Sequence, residues 1–288
     1  HIVLDGWSMP ILLREIFGVY HHQSLPAALP FRRFVSWLAG RDVQAARRAW
    51  GAVLAGVETP TLVGAADRLE LGSQGVQWFT MPAEIMQALS GLARSCHTTV
   101  NTVLQAAWAQ VLVGLTGQHD VVFGTTVSGR PAELSGADQM VGLLINTVPV
   151  RARLTAATTT VELVEQLQGF RNDTLEHQHL ALSEIQRIAG QDKLFDTLFV
   201  YENYPLDTEQ ARGADALVIT DVAVQEATHY PLSVQAIPGD ELRLRIEYRT
   251  DVFDAASIEA LVGRLRKILV AMTADPDRRL SSIDVLDP

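Results

Sequence analysis

The sequence predicts an α/β fold of the α+β kind, built on a mixed sheet. Three observations carry this reading. The segment 255–273 places Ile258, Leu261, Val262, Leu265, Ile268, Leu269 and Met272 on one helical face. The segment 241–249 alternates instead: Leu242, Leu244, Ile246 and Tyr248 point one way, and Arg243, Arg245, Glu247 and Arg249 the other. Helical and strand segments interleave along the whole chain without a strict βαβ repeat, which favours a mixed sheet over a parallel one.

The chain opens on His1-Ile2-Val3-Leu4-Asp5-Gly6-Trp7-Ser8. The apolar trio reads as the end of a buried strand that delivers His1 and Asp5 to its edge, with Gly6 turning the backbone. A helix follows over 9–18, then a solvated loop holding His21 and His22. Pro30 opens a second helix at its first position. There Phe31, Phe34, Val35 and Leu38 recur at helical spacing, with Arg32 and Arg33 opposite. Trp37 and Trp50 read as packing residues. Asp42 suits the N-cap of a helix over 43–55 that ends near Gly56. Residues 57–74 show no period and read as a linker between lobes. A strand over 76–81 stops at Pro82, and helices cover 83–95 and 99–115. The second of these is nearly all apolar, so it is buried. Cys96 and His97, in the turn between them, read as structural. A strand over 120–127 runs into a loop over 128–133, and a loop and strand share 140–151. Next come a helix over 160–177, a short helix over 181–189 and a strand over 195–201. A loop over 202–205 and an exposed excursion over 206–216 follow, then strands over 217–225, 231–237 and 241–249.

Composition excludes several functions. The chain has 288 residues, 48% hydrophobic and 19% charged, which describes a globular protein with a large core. A net charge of −10 with no basic cluster argues against a nucleic-acid partner. A single cysteine, Cys96, rules out an internal disulfide and a Cys-rich metal site, and fits a reducing cytoplasm. No apolar run approaches the roughly 18 residues of a membrane span, and no basic n-region marks a signal peptide. The absence of an initiating methionine, with a start inside an apparent strand, reads as a fragment of a longer polypeptide. Residues 281–288 read as the beginning of a linker. There is no phosphate-binding or dinucleotide-binding glycine loop, no His-Glu-x-x-His, no Cys-x-x-Cys and no Gly-x-Ser-x-Gly. Chemistry here is therefore direct transfer between bound substrates, with proximity supplying much of the rate. Histidine is the side chain whose ordinary titration lies near neutrality, and His1 is the candidate proton-handling group.

Seven stretches, in order, resemble the motifs of nonribosomal peptide synthetase condensation domains. His1 to Gly6 is similar to the second His onward of His-His-x-x-x-Asp-Gly. The others are Phe31 to Leu38, Val122 to Arg130, Val141 to Arg151, His177 to Leu182, Phe195 to Pro205, and Tyr248 to Asp254. The resemblance covers the whole chain. It implies two chloramphenicol acetyltransferase-like lobes with a tunnel between them. Residues 1–60 would be the end of the N-terminal lobe, 61–280 a complete C-terminal lobe, and 281–288 the start of a linker. The implied reaction joins a donor acyl or peptidyl thioester to the amine of an acceptor aminoacyl thioester. Both would ride on phosphopantetheine arms of upstream and downstream carrier domains, with an adenylation domain following; no cofactor is bound directly and no metal is required.

Within that resemblance, His1 positions the amine, removes its proton, or supports the tetrahedral intermediate. Asp5 is structural and pairs with an arginine, for which Arg130 is one candidate. Gly6 brings a backbone N–H to the reacting centre, and Trp7 and Ser8 shape the tunnel. Arg130 and Asn146 either contact substrate or stabilise loops; His177, His179 and Asn203 are structural. The rival readings are an epimerization domain, a coenzyme A-dependent acyltransferase and a non-catalytic docking module.

Overall fold

The computed structural model describes residues 3–64, 73–202 and 228–284. The chain divides into two compact units. The smaller comprises His1–Val43, Val127–Asn146 and Asn203–Glu226; the larger comprises Gln44–Thr126, Thr147–Glu202 and Ala227–Pro288.

The larger unit is built on a six-stranded sheet: β1 (Gln74–Met81), β2 (Asp120–Val127), β3 (Asn146–Arg153), β4 (Thr197–Tyr201), β5 (Leu232–Ile237) and β6 (Leu242–Arg249), in the order β1-β6-β5-β4-β2-β3. The β1–β6 and β6–β5 pairs are antiparallel, while β5–β4 and β4–β2 are parallel. The sheet is therefore mixed, as the interleaved pattern predicts. The alternation read in 241–249 is present: Leu242, Leu244, Ile246 and Tyr248 are buried. On the opposite side Glu247 is buried too, paired with Arg245.

Helices α4 (Ala83–Ser95), α5 (Val100–Thr116) and α8 (Ala255–Ala274) pack on this sheet. Helix α5 is buried along most of its length, as its composition demands. The Thr99 hydroxyl accepts the Thr102 N–H to start it, and Gly117, at φ 70°, ends it in a conformation that needs no Cβ. The apolar stripe of α8 is buried from Ile258 to Met272, and Asp254 caps its first turn through the Ser257 N–H. Helix α3 (Val43–Leu54) follows Asp42 directly, and its Trp50 is fully buried with Nε1 donating to the His177 carbonyl. Helix α6 (Thr160–Thr174) stops three residues before the predicted end. The Thr174 hydroxyl bonds back to the Phe170 carbonyl, and a 3-10 turn takes over at Leu175–His177. The short helix α7 (Leu182–Ile188) follows.

Residues 57–64, where no period is legible, are held by hydrogen bonds to distant elements. Thr61 is fully buried and its hydroxyl accepts the Val122 N–H at 2.8 Å. Asp196 accepts the N–H groups of Val63 and Gly64 at 2.8 and 2.9 Å. This use of Phe195 and Asp196 delays β4 to Thr197. At the far end, Leu280 is buried and its N–H reaches the Thr158 carbonyl, while Ser281 Oγ donates to the Ala156 carbonyl.

The smaller unit holds α1 (Ser8–Tyr20) and α2 (Arg32–Ala39), with a core of Phe34, Leu134, Ala137, Met140 and Leu144. Trp37 stacks on Phe34. The strand expected at the start is not formed over Val3 and Leu4: both lie outside regular structure, and Val3 is 69% exposed. A strand needs a ladder of partners; the segment is instead tied by the Asp5 N–H to the Gly142 carbonyl. The expected excursion over 206–216 and strand over 217–225 lie outside the described residues, as does Asn203.

Candidate functional site

Asp5 is the centre of the site. Its carboxylate is buried, and the whole residue is 2% exposed. Arg130 meets it end-on: Nη1 donates to Oδ2 at 2.8 Å and Nη2 to Oδ1 at 2.9 Å. This two-pronged geometry is the strong form of the guanidinium–carboxylate pair. The same guanidinium donates to the carbonyls of Ser128 and Met140. Oδ2 also accepts the backbone N–H groups of Leu144 and Ile145, and Oδ1 accepts the N–H of Ser8. Burial alone pushes the Asp5 carboxyl up. Arg130, the Leu144 N–H and Ser8 more than reverse that, holding it below the ordinary value.

Ser8 closes the arrangement. Its Oγ lies 2.9 Å from Asp5 Oδ1 and 2.9 Å from the Gly142 carbonyl, and accepts the Gly142 N–H at 3.0 Å. Two glycines let the 128–145 loop approach this closely. A Cβ on Gly142 would stand 2.3 Å from the Phe31 ring, and one on Gly129, at φ 60°, 1.6 Å from the Leu144 carbonyl oxygen.

The structure thus brings Asp5, Ser8 and Arg130 together, with protein groups occupying the Ser8 hydroxyl and both Arg130 terminal nitrogens. Trp7, half-buried, sits just before α1, its ring 5.8 Å from Arg130 Cζ. Gly6 is half-buried in the turn, and its carbonyl accepts the Met9 N–H. Asn146 begins β3, one residue after the Ile145 N–H that Asp5 engages. His1 lies outside the described residues. No cluster of His, Cys, Asp or Glu suited to a metal ion occurs among the described residues. Sequence reasoning missed the backbone donors of Leu144 and Ile145 and both backbone groups of Gly142. Their one signal was the glycine of the Val141–Arg151 motif.

The whole chain, residues 1–288, matches the family described as Condensation domain. The chain belongs to the condensation-domain family. This condensation domain is 36% identical over 299 residues to surfactin synthase subunit 3 of Bacillus subtilis (strain 168), covering 100% of this chain and 23% of that protein. Among solved structures, the first condensation domain of the calcium-dependent antibiotic synthetase, in complex with a substrate analogue, superposes with a TM-score of 0.81 at 20% identity, over 100% of this chain and 66% of that one. The X-domain from teicoplanin biosynthesis gives 0.79 at 21%, over 99% and 70%. These likenesses bear out the mixed α/β fold expected from the sequence. No helix among the described residues of the condensation domain is long and apolar enough to cross a membrane.

Proposed function

We propose that this chain takes part in amide-bond formation within a nonribosomal peptide synthetase. The amine of an acceptor aminoacyl thioester attacks the carbonyl of a donor acyl or peptidyl thioester, each delivered on the phosphopantetheine arm of a carrier domain. Upstream and downstream carrier domains are the partners, with an adenylation domain beyond. A thioester is already activated, so no covalent enzyme intermediate is needed.

The observation that carries the reading is the saturation of Asp5. A carboxylate with both oxygens engaged by Arg130 and by backbone N–H groups has no free lone pair directed at a substrate. It serves as a frame, which leaves His1 as the group of the motif that handles the proton or positions the amine. Gly6 offers its N–H beside that centre. Arg130 and Ser8 hold the frame, and Trp7 and Asn146 are the residues of the set left to face substrate.

The test loads a donor and an acceptor carrier domain with aminoacyl thioesters and follows dipeptidyl thioester by mass spectrometry. It is run with the 288-residue chain and with that chain joined to the adjoining stretch of surfactin synthase subunit 3, each beside its His1→Ala form. Dipeptide that falls at least 100-fold with His1→Ala supports the reading. Inversion of one stereocentre without dipeptide moves it to epimerization. Unchanged thioesters across several substrate pairs move it to a docking role.

A further inference from the structure

The sheet of the larger unit ends on two strands that treat their outer edges differently. β3 closes its edge. It carries Pro149, which has no N–H to offer, and two arginines, Arg151 and Arg153. The side-chain amide of Gln166, on α6, then satisfies the Arg153 backbone twice. The Arg153 N–H donates to Oε1 at 2.7 Å, and Nε2 donates to the Arg153 carbonyl at 3.1 Å. Proline, charge and a covering group are the means by which proteins keep a sheet edge from pairing with another chain.

β1, at the opposite end of the sheet, has none of them among the described residues. Over eight residues it carries no charge and no proline, and it keeps an unbroken register with β6. The Thr250 N–H donates to the Ser73 carbonyl, so alternation turns the backbone groups of Gly75, Gln77, Phe79 and Met81 toward β6. Gln74, Val76, Trp78 and Thr80 therefore direct their N–H and C=O groups outward, and no strand among the described residues pairs with them. Phe79 and Met81 pack on the core; Val76 and Trp78 lie on the other face, 45% and 57% exposed.

This strand is complementary to a reversed copy of itself. With Gln77 opposite Gln77, Val76 meets Trp78 and Gln74 meets Thr80, each twice, and every outward N–H and C=O finds a partner. A one-residue shift would set outward-directed groups against inward-directed ones. A two-residue slip one way sets Gln74 against Pro82, which has no N–H; the other way it carries Thr80 past the start of the strand. Val76 against Trp78 is a favourable pair of β-branched and aromatic side chains, and no like charges meet. We infer that β1 is the contact strand between two copies of this chain, related by a two-fold axis at Gln77, so that their sheets run on as one. Both copies use the same patch, so the assembly closes at two. The inference concerns assembly and stands apart from the amide-bond reading.

Cross-linking and sedimentation of the 288-residue chain test it, with its own thiol removed by Cys96→Ser for the cross-linking. Directly opposed residues of the kind that Gln77 would form lie about 4.5 Å apart between Cα atoms, within the span of about 4.4–6.8 Å that a disulfide bridges. Gln77→Cys should therefore form a disulfide-linked dimer on mild oxidation at least tenfold faster than Trp78→Cys, although Trp78 is the more exposed position. The reverse order overturns the register. Between about 1 and 100 μM, sedimentation should carry the unmutated chain from 31.5 kDa toward twice that mass. Val76→Pro removes one outward N–H and spares the bonds to β6; it should weaken the dimer at least tenfold, with circular dichroism unchanged. Trp78→Lys keeps every backbone donor and places a cation on the edge, and should weaken it likewise. Ile16→Lys and Val270→Lys, at exposed apolar positions outside β1, should leave the dimer intact. A chain that stays at 31.5 kDa throughout overturns the inference. So does a dimer that survives Trp78→Lys, or one lost with Ile16→Lys or Val270→Lys.

Discussion

Asp5 in the smaller unit and Asp196 in the larger are alike in burial and in drawing backbone donors from a distant loop, and differ in the side chains that face them. Each is 2% exposed. Each accepts two successive backbone N–H groups from a distant loop, those of Leu144 and Ile145 for Asp5 and those of Val63 and Gly64 for Asp196. Asp5 also faces the Arg130 guanidinium, whereas the charge that acts on Asp196 is Lys193, through space. Burial pushes both carboxyls up. At Asp5 the added donors win and the carboxyl ends below its ordinary value; at Asp196 the two N–H groups and Lys193 offset burial only in part, and it ends above. A pair of backbone donors is thus insufficient to keep a buried carboxylate ionised. The guanidinium, with Ser8 beside it, reverses the sign.

The sharpest way to break this comparison is to turn Asp5 into a second Asp196. Arg130→Met leaves the carboxylate buried with Ser8 and its backbone donors but no cation. It should cost about 3–5 kcal/mol in urea unfolding, as removal of one partner of a buried pair does. Arg130→Lys should recover only part, because an ammonium cannot meet both oxygens in parallel. Gly129→Ala attacks the same frame through the backbone. With φ at 60° and a Cβ placed against the Leu144 carbonyl, it should cost about 2–3 kcal/mol, read by the same unfolding curves. The neutral isosteres should separate the two sites. Asp196→Asn should cost about 1 kcal/mol, near the net worth of one hydrogen bond, and Asp5→Asn several times that. Equal costs would show that the guanidinium is not what distinguishes them.

The smallest effect is in pH. The folded-state value of Asp5 lies below its unfolded value of 3.8, so its contribution is complete above that pH and is lost as pH falls through the folded value. Asp196 runs the other way: its contribution is complete below 3.8 and is lost as pH rises through the raised folded value. Urea midpoints measured between about pH 3 and 6 should therefore show Asp5→Asn flattening the acid-side loss and Asp196→Asn flattening the fall in stability as pH rises above 3.8.

What the sequence made legible was periodic. The stripe of α8, the burial of α5 and the alternation of β6 follow from side-chain spacing, and the structure repeats them nearly residue for residue. The Asp5–Arg130 pair was reachable from ordered motifs, as one candidate pairing. The rest depends on contacts that carry no local pattern. Nothing near Thr61 announces that its hydroxyl will receive an N–H from Val122, and nothing near Leu144 announces that its own N–H will reach Asp5. The strand expected before Asp5 shows the converse failure. Three apolar residues look like a strand in isolation, but the described pair, Val3 and Leu4, has no ladder beside it.

The separation between the parts of the Asp5 frame has a consequence in time. Asp5 and Arg130 stand 125 positions apart, and Asp5 and Leu144 139. During synthesis, at about 5–20 residues per second, the opening motif leaves the ribosome on the order of ten seconds before the loop that cradles it. Throughout that interval the Asp5 carboxylate is solvated and the turn at Gly6 is unsupported. The site therefore takes shape only once synthesis has passed Ile145, and a chain arrested before that residue carries the motif without the cradle.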